Sequence, residues 1–380
     1  MSLAFGDCAT VGSALTDSFL RLDLPDLLPT LGLLGPAPEA LAAVWRGLRR
    51  HPIGPGASAA RVLRQAITPL GVKPPIAAEP VRTRQGTEDG GHILATGHGI
   101  TIRAWATDTD LDTPDRARHS PASAAHRVLR ASRETAGLLS NGAELRLLIS
   151  DPALPDSHLS FPLDAWRAAA APPESLRLLL TLLAGLPALP QILDAARLHQ
   201  ARVTNDLRAQ ARGGLECFLQ AVIADPGNPG AEAADLWHDG LILIHRLLFI
   251  LKLEASTDPA RGFSFASTRL WRESLSPNRA LGPLVRRHLD HGHDTGAMLE
   301  SGLRALFRAC RDGLRCAELT IAPLGGALFG ADTMPTLDRL RWGERAVALL
   351  LDRLLWTTAR AATGTRALRR AGCGGAGQGL

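Results

Sequence analysis

The chain has 380 residues, of which 46% are hydrophobic and 21% charged. That balance excludes a disordered polypeptide and is enough for two or three folded units. The net charge is +5, yet Lys73 and Lys252 are the only lysines among 42 basic residues, so arginine must also serve ordinary surfaces here. The basic excess therefore points only weakly to nucleic acid.

Residues 1–75 alternate short helical patterns with Pro and Gly breaks and form an N-terminal helical arm. The opening MSLAFGDCATVG lacks the basic segment and apolar core of a signal peptide. "PAPEALAAVWRGLRRH" has apolar residues at helical spacing and a basic last turn, which suits the negative end of a helix dipole. Residues 76–165 change character. "GHILATGHG" and "ITIRAWATD" read as short strands joined by a glycine turn. "SPASAAHRVLRAS" opens on Ser-Pro, a helix start, and two apolar runs then flank Asn141-Gly142, a strong hairpin signal.

From residue 166 to 360 the pattern is almost wholly helical. A long helix is predicted over 191–224, with a weak point at Gly213-Gly214, and others over 283–290, 296–313 and 335–358. The run "LILIHRLLFILKL" is too short and too charged to cross a bilayer, so a cytoplasmic chain without membrane contact is expected. Residues 361–380, small, basic and Gly-rich, are expected to be disordered. The predicted class is α+β, predominantly helical, with a small α/β region followed by a helical connector.

Motifs for chemistry are sparse. Cys8, Cys217, Cys310, Cys316 and Cys373 are scattered without a CxxC, which argues against a zinc ribbon or a disulfide frame. Gly372 to Gly377 satisfies GxGxxG but has neither a strand before it nor room for a helix after it. "HLDHGHD" gathers His288, His291, His293 and Asp294, but Gly292 interrupts the helix and the spacing fits no zinc site. Asp108, Asp110 and Asp112 open like a calcium loop, without its Gly at position six or Glu at position twelve. A metal-dependent nuclease needs an acid and a Glu-x-Lys; no Glu-x-Lys occurs. No catalytic, cofactor or metal residue is assigned.

Five stretches in order carry a resemblance: "SPASAAHRVLRAS…GLLSNGAELRLLISD", "ARVTNDLRAQARGGLECFLQAV", "LWHDGLILIHRLLFILKLEAS", "GLRALFRACRDGL" and "APLGGALFG". Together, from about residue 100 to 358, they resemble the N-terminal half of Eco57I-type adenine-specific DNA methyltransferases, found in type IIG restriction-modification and DISARM-like phage defence. The resemblance implies a restriction-nuclease-like α/β region and then a helical connector. In that family a methyltransferase domain using S-adenosylmethionine follows.

This chain departs from the family at the catalytic motif. It has no Tyr, its Pro-Pro pairs at 74–75 and 172–173 follow Lys and Ala, and the S-adenosylmethionine glycine loop is missing. Similarity ends near "LLDRLLWTTAR", where the family's catalytic domain begins, so methyl transfer is expected from a separate half or partner. "APLGGALFG", without a charged group, reads as an architectural corner in which Leu328 and Phe329 fold back on the core.

The leading reading is a DNA-engaging scaffold for double-stranded DNA, with candidate phosphate contacts at Arg202 and Arg208 on the long helix and at Arg269, Arg272 and Arg279. The alternatives are a divergent metal-dependent nuclease and a helical interaction protein without nucleic acid. The latter would use apolar surface expected around Trp342, Leu349 and Trp356.

Overall fold

Leu, Ile and Phe alternating with polar residues between 144 and 162 dictate a sheet with one oily and one mixed face. In the computed structural model, the described residues are 8–51, 58, 61–62, 64–65, 68–70, 73, 75–95, 100–114, 119–255, 263–292, 296–360 and 366–370. They divide into two units, residues 1–201 and 202–380.

The first unit is built on seven strands: β1 (Ala9–Val11), β2 (Ile76–Ala77), β5 (His92–Ala95), β6 (Thr101–Ala106), β7 (Ala136–Ser140), β8 (Glu144–Ile149) and β9 (Ser157–Pro162). Their order is β1-β9-β8-β7-β6-β5-β2. A small separate hairpin pairs β3 (Val81–Thr83) with β4 (Gly86–Glu88). All neighbours in the large sheet run antiparallel except β6 and β7, which are parallel. A parallel pair needs a crossover, and α4 (Pro121–Ser132) supplies it. The hairpin predicted at Asn141-Gly142 is present, with Gly142 at φ +90° and Asn141 Oδ1 accepting from the Glu144 amide at 2.9 Å. The turn predicted between β5 and β6 lies at residues 96–99, outside the described residues.

One face of the sheet, with Leu138, Leu145, Leu147, Leu159 and Phe161, is buried in a core shared with several helices. These are α1 (Asp17–Leu22), α2 (Leu24–Thr30), α3 (Pro38–Arg50), α5 (Leu163–Ala168), α6 (Glu174–Ala184) and the first turns of α7 (Leu189–Ala224). The other face packs Trp105, Leu139 and Leu148 against Val128 and Leu129 of α4. Helix α6 and the second half of α5, which the sequence places with the connector from residue 166, thus bury their apolar sides in the core of the sheet unit.

Helix α4 starts as its sequence predicts: Ser120 Oγ accepts from the Ser123 amide at 3.2 Å and Pro121 takes the first turn. It ends on Arg133 at φ 55°, a left-handed conformation that a Cβ disfavours. Arg133→Gly is expected to stabilise the chain by about 0.5–1 kcal/mol, read as a raised urea midpoint. A lowered midpoint would show that the Arg133 side chain outweighs the backbone strain.

The second unit is helical. It comprises the rest of α7, α8 (Ala233–Ala255), two π-helical turns (Trp271–Leu275 and Pro277–Leu281), α9 (Gly282–His291), α10 (Met298–Asp312), α11 (Gly326–Phe329) and α12 (Glu344–Leu355). Hairpin β10 (Leu314–Arg315) and β11 (Thr320–Ile321) follows α10; β12 (Trp356–Arg360) pairs with β13 (Arg366–Arg370) at the end. Strand β13 falls in the stretch the sequence reads as disordered; residues 361–365 and 371–380 lie outside the described residues. Helix α7 runs unbroken through Gly213-Gly214, over which the Arg353 side chain lies.

The helix predicted over 335–358 starts only at Glu344. Gly343 sits at φ 79°, and Leu337–Arg339 forms a short 3-10 turn instead. The apolar surface expected around Trp342 is not there: Trp342 is 1% exposed and stacks edge-on with Phe218, while Leu349 and Trp356 are half-buried.

Candidate functional site

Charge is divided unevenly between the units. Residues 1–201 hold 19 basic and 19 acidic side chains, and residues 202–380 hold 23 basic against 18 acidic, so the whole +5 resides in the second unit. Four of its arginines, Arg360, Arg366, Arg369 and Arg370, stand on the terminal hairpin.

The five arginines singled out in the sequence all belong to this unit and all are exposed. Arg202 and Arg208 stand on α7, Arg272 and Arg279 on the two π-helical turns, and Arg269 just before them. Arg269 donates to both oxygens of Glu273 at 3.0 Å, so its charge is already matched.

In the first unit the mixed face of the sheet carries a polar cluster. Arg146 on β8 is 6% exposed and donates to Asp112 through two nitrogens at 2.7 and 2.8 Å, and to Glu144 at 2.6 Å. Burial opposes its charge, but the hydrogen bonds it donates to Asp112 and Glu144 outweigh that and raise its pKa. The same hydrogen bond holds Asp112 below the usual carboxylate range. Beside them His158 is pushed down to about 4, first by burial and then by the Arg146 charge. His126, 2% exposed, is lowered by burial, against the pull of Asp156.

Asp112 and Glu144 would be the natural carboxylate pair for a divalent cation, but a guanidinium occupies their oxygens. Asp110 is used locally, accepting from the Asp112 and Thr113 amides at 2.9 and 2.8 Å. Among the described residues no three His, Cys, Asp or Glu side chains gather as a cation site. His291 Nδ1 pairs with the Arg287 carbonyl at 2.8 Å and Gly292 ends α9 at φ 64°; His293 and Asp294 lie outside the described residues.

The second unit holds a feature that the sequence reading missed, a cleft of about 300 Å³. Its walls include Arg246 of α8, Arg304, Arg308 and Arg311 of α10, and Asp338, with Phe307, Phe329 and Trp342 behind them. The spacing of the three α10 arginines, i, i+4 and i+7, puts them on one side of the helix. Arg304 stacks over Trp342 at 4.1 Å and donates to Glu300 at 3.0 Å. Arg311 is paired with Asp312 at 2.8 Å.

"APLGGALFG" forms one wall. Gly325 and Gly326 take φ 52° and 68°, which turns the chain sharply into α11, and Phe329 is buried at 2%. The corner is held from α8. Arg246 Nε donates to the Leu328 carbonyl at 2.7 Å and Nη2 to Thr333 Oγ1 at 2.5 Å. Asp239, one helical heptad earlier and 2% exposed, accepts from the Thr336 and Leu337 amides at 2.7 and 2.9 Å. The corner is structural, and it also places Phe329 beneath a guanidinium. Within "LILIHRLLFILKL" the lone buried arginine was the available signal, since an unpaired charge in a core helix needs a reason.

Fold and site together define an α+β, predominantly helical protein whose second unit carries an arginine-lined cleft. No protein-family model, curated protein or solved structure matches this chain. Among the described residues no single helix is long and apolar enough to cross a membrane. The bent pair α6–α7 qualifies only by length and composition, and Leu176, Leu179, Leu182, Leu189 and Ile192 of that pair are buried in the first core.

Proposed function

We propose that the chain is a cytoplasmic DNA-engaging scaffold of an adenine-specific DNA methyltransferase system, in restriction-modification or phage defence. Methyl transfer, with S-adenosylmethionine, would belong to a separate half or partner chain. The resemblance of five ordered segments to Eco57I-type enzymes motivates the reading. The observation that carries it is the confinement of the net positive charge to the second unit, where Arg208, Arg272 and Arg279 are exposed. Guanidinium groups on a surface neutralise backbone phosphates and fix a protein on a duplex without reading its bases. The restriction-nuclease-like reading of the sheet is part of the same proposal, supported by the mixed sheet and its crossover helix α4. With Arg146 seated between Asp112 and Glu144, that region acts as a scaffold and not as a nuclease.

The test is duplex DNA binding by the full chain and by a variant with Arg208, Arg272 and Arg279 all changed to Gln. The expected result is saturable binding weakened at least tenfold in the variant at equal salt, each lost phosphate contact removing one released counterion. A chain that binds no duplex at low salt would instead be an interaction protein without a nucleic-acid role.

A further inference from the structure

We propose that the cleft between α8, α10 and the Gly325-Gly326 corner is a binding site for a phosphate group. Arg246 is the first reason. It is 5% exposed, and among the described residues no carboxylate lies within ion-pair distance of it. Its guanidinium is solvated by the Leu328 and Gly330 carbonyls and the Thr333 hydroxyl, and by the faces of Phe307 and Phe329 at 5.3 and 5.5 Å. None of these partners carries a full negative charge. A buried cation in that state is costly, and burial accordingly lowers its pKa.

The balance of the walls is the second reason. Four guanidinium groups line the cleft against a single carboxylate, Asp338, whose pKa is raised by burial. Glu300 and Asp312 answer Arg304 and Arg311 from outside the cleft. Exposed Arg308, midway between them on the same side of α10, makes no close ion pair or side-chain hydrogen bond among the described residues; Asp312 acts on it only through its charge. Ser301 adds a hydroxyl one turn before Arg304 on that side. An anion entering here would meet Arg308 first and lie over Arg246.

Arginine forks match the tetrahedral oxygens of a phosphate, which selects that group over a simple halide. The volume of about 300 Å³ lies at the lower end for small-molecule sites and suits a phosphate with at most a mononucleotide attached. The group could come from the backbone of a nucleic acid or from a free phosphate ester; the chemistry is shared. The proposal does not rest on the DNA reading.

The experiment is calorimetric titration of the full chain, in chloride buffer, with inorganic phosphate, with AMP and with a short duplex, for wild type, Arg308→Gln and, as a control on α9 away from the cleft lining, Arg287→Gln. Both substituted residues are exposed, and circular dichroism checks that each variant is folded. Saturable binding of phosphate and AMP, weakened at least tenfold by Arg308→Gln and unchanged by Arg287→Gln, is expected. Competition between duplex and phosphate would identify the backbone as the source, and binding without competition would identify a free ester. If neither phosphate nor AMP binds, or if Arg308→Gln leaves their binding unaltered, the cleft is not a phosphate site. Duplex binding retained in that case would leave the DNA reading standing.

Discussion

Glu344→Ala is expected to destabilise the second unit by about 3 kcal/mol, the combined cost of one buried and one part-buried orphaned donor and a lost charge at a helix start. Helix α10 begins without a side-chain cap of its own, because Ala297 precedes it. The cap comes from α12 instead: Glu344, 4% exposed, accepts from the Leu299 amide at 2.7 Å and the Glu300 amide at 3.3 Å. Glu300 returns the contact, accepting from the Trp342 and Gly343 amides at 3.2 and 3.0 Å at the head of α12. Each helix start is therefore satisfied by a carboxylate of the other, and truncating Glu344 orphans one buried and one part-buried amide. Glu344→Gln keeps an acceptor and should cost only about 1 kcal/mol. Urea melts of the two variants check this: the Ala midpoint should fall well below the Gln midpoint at similar slope. Equal losses would show that the charge matters and the acceptor does not.

Acid is expected to remove about 3 kcal/mol of stability through His158 alone, between pH 6.5 and about 4. The folded protein holds His158 neutral down to about 4, while the unfolded chain takes up the proton near 6.5. The unfolded state thus binds more protons throughout that window, and stability falls as pH falls through it. Above pH 6.5 the contribution is complete. His126, lowered in the same direction by burial, steepens the loss, and Asp112, held below 3.8 by Arg146, extends it to lower pH. Asp112 and Glu144 also face this site and favour a proton on His158, but burial, with the Arg146 and His126 charges, outweighs them. Urea midpoints at pH 7.5, 5.5 and 4.5 should descend, and His158→Gln should flatten the descent. A flat profile for the native chain across that range would contradict the burial argument.

Local signals in the sequence were good guides to local structure. Asn141-Gly142 makes a hairpin because its side chain and positive φ serve that turn alone, and Ser120-Pro121 starts a helix because cap and first turn are adjacent in the chain. The helix predicted over 335–358 failed for a related reason. Met334, Leu337 and Leu340 keep helical spacing into the core, while the amides of Thr336 and Leu337 bind Asp239, nearly a hundred residues away. No periodicity reveals such a partner. The same holds for the site. Exposed arginines such as Arg272 could be named from the sequence, but the cleft exists only because α8 and α10 bring Arg246 and Arg308 to one space with Phe329. Trp342, read as surface, is buried because Arg304 and Phe218 cover it.

The proposed engagement of DNA through phosphate contacts is checked by the salt dependence of duplex binding. A plot of log affinity against log salt between 50 and 200 mM should be linear, with a slope of about −3 or steeper. It should become shallower by two to three when Arg208, Arg272 and Arg279 are changed to Gln. A slope near zero, or the same slope in native and variant protein, would contradict it.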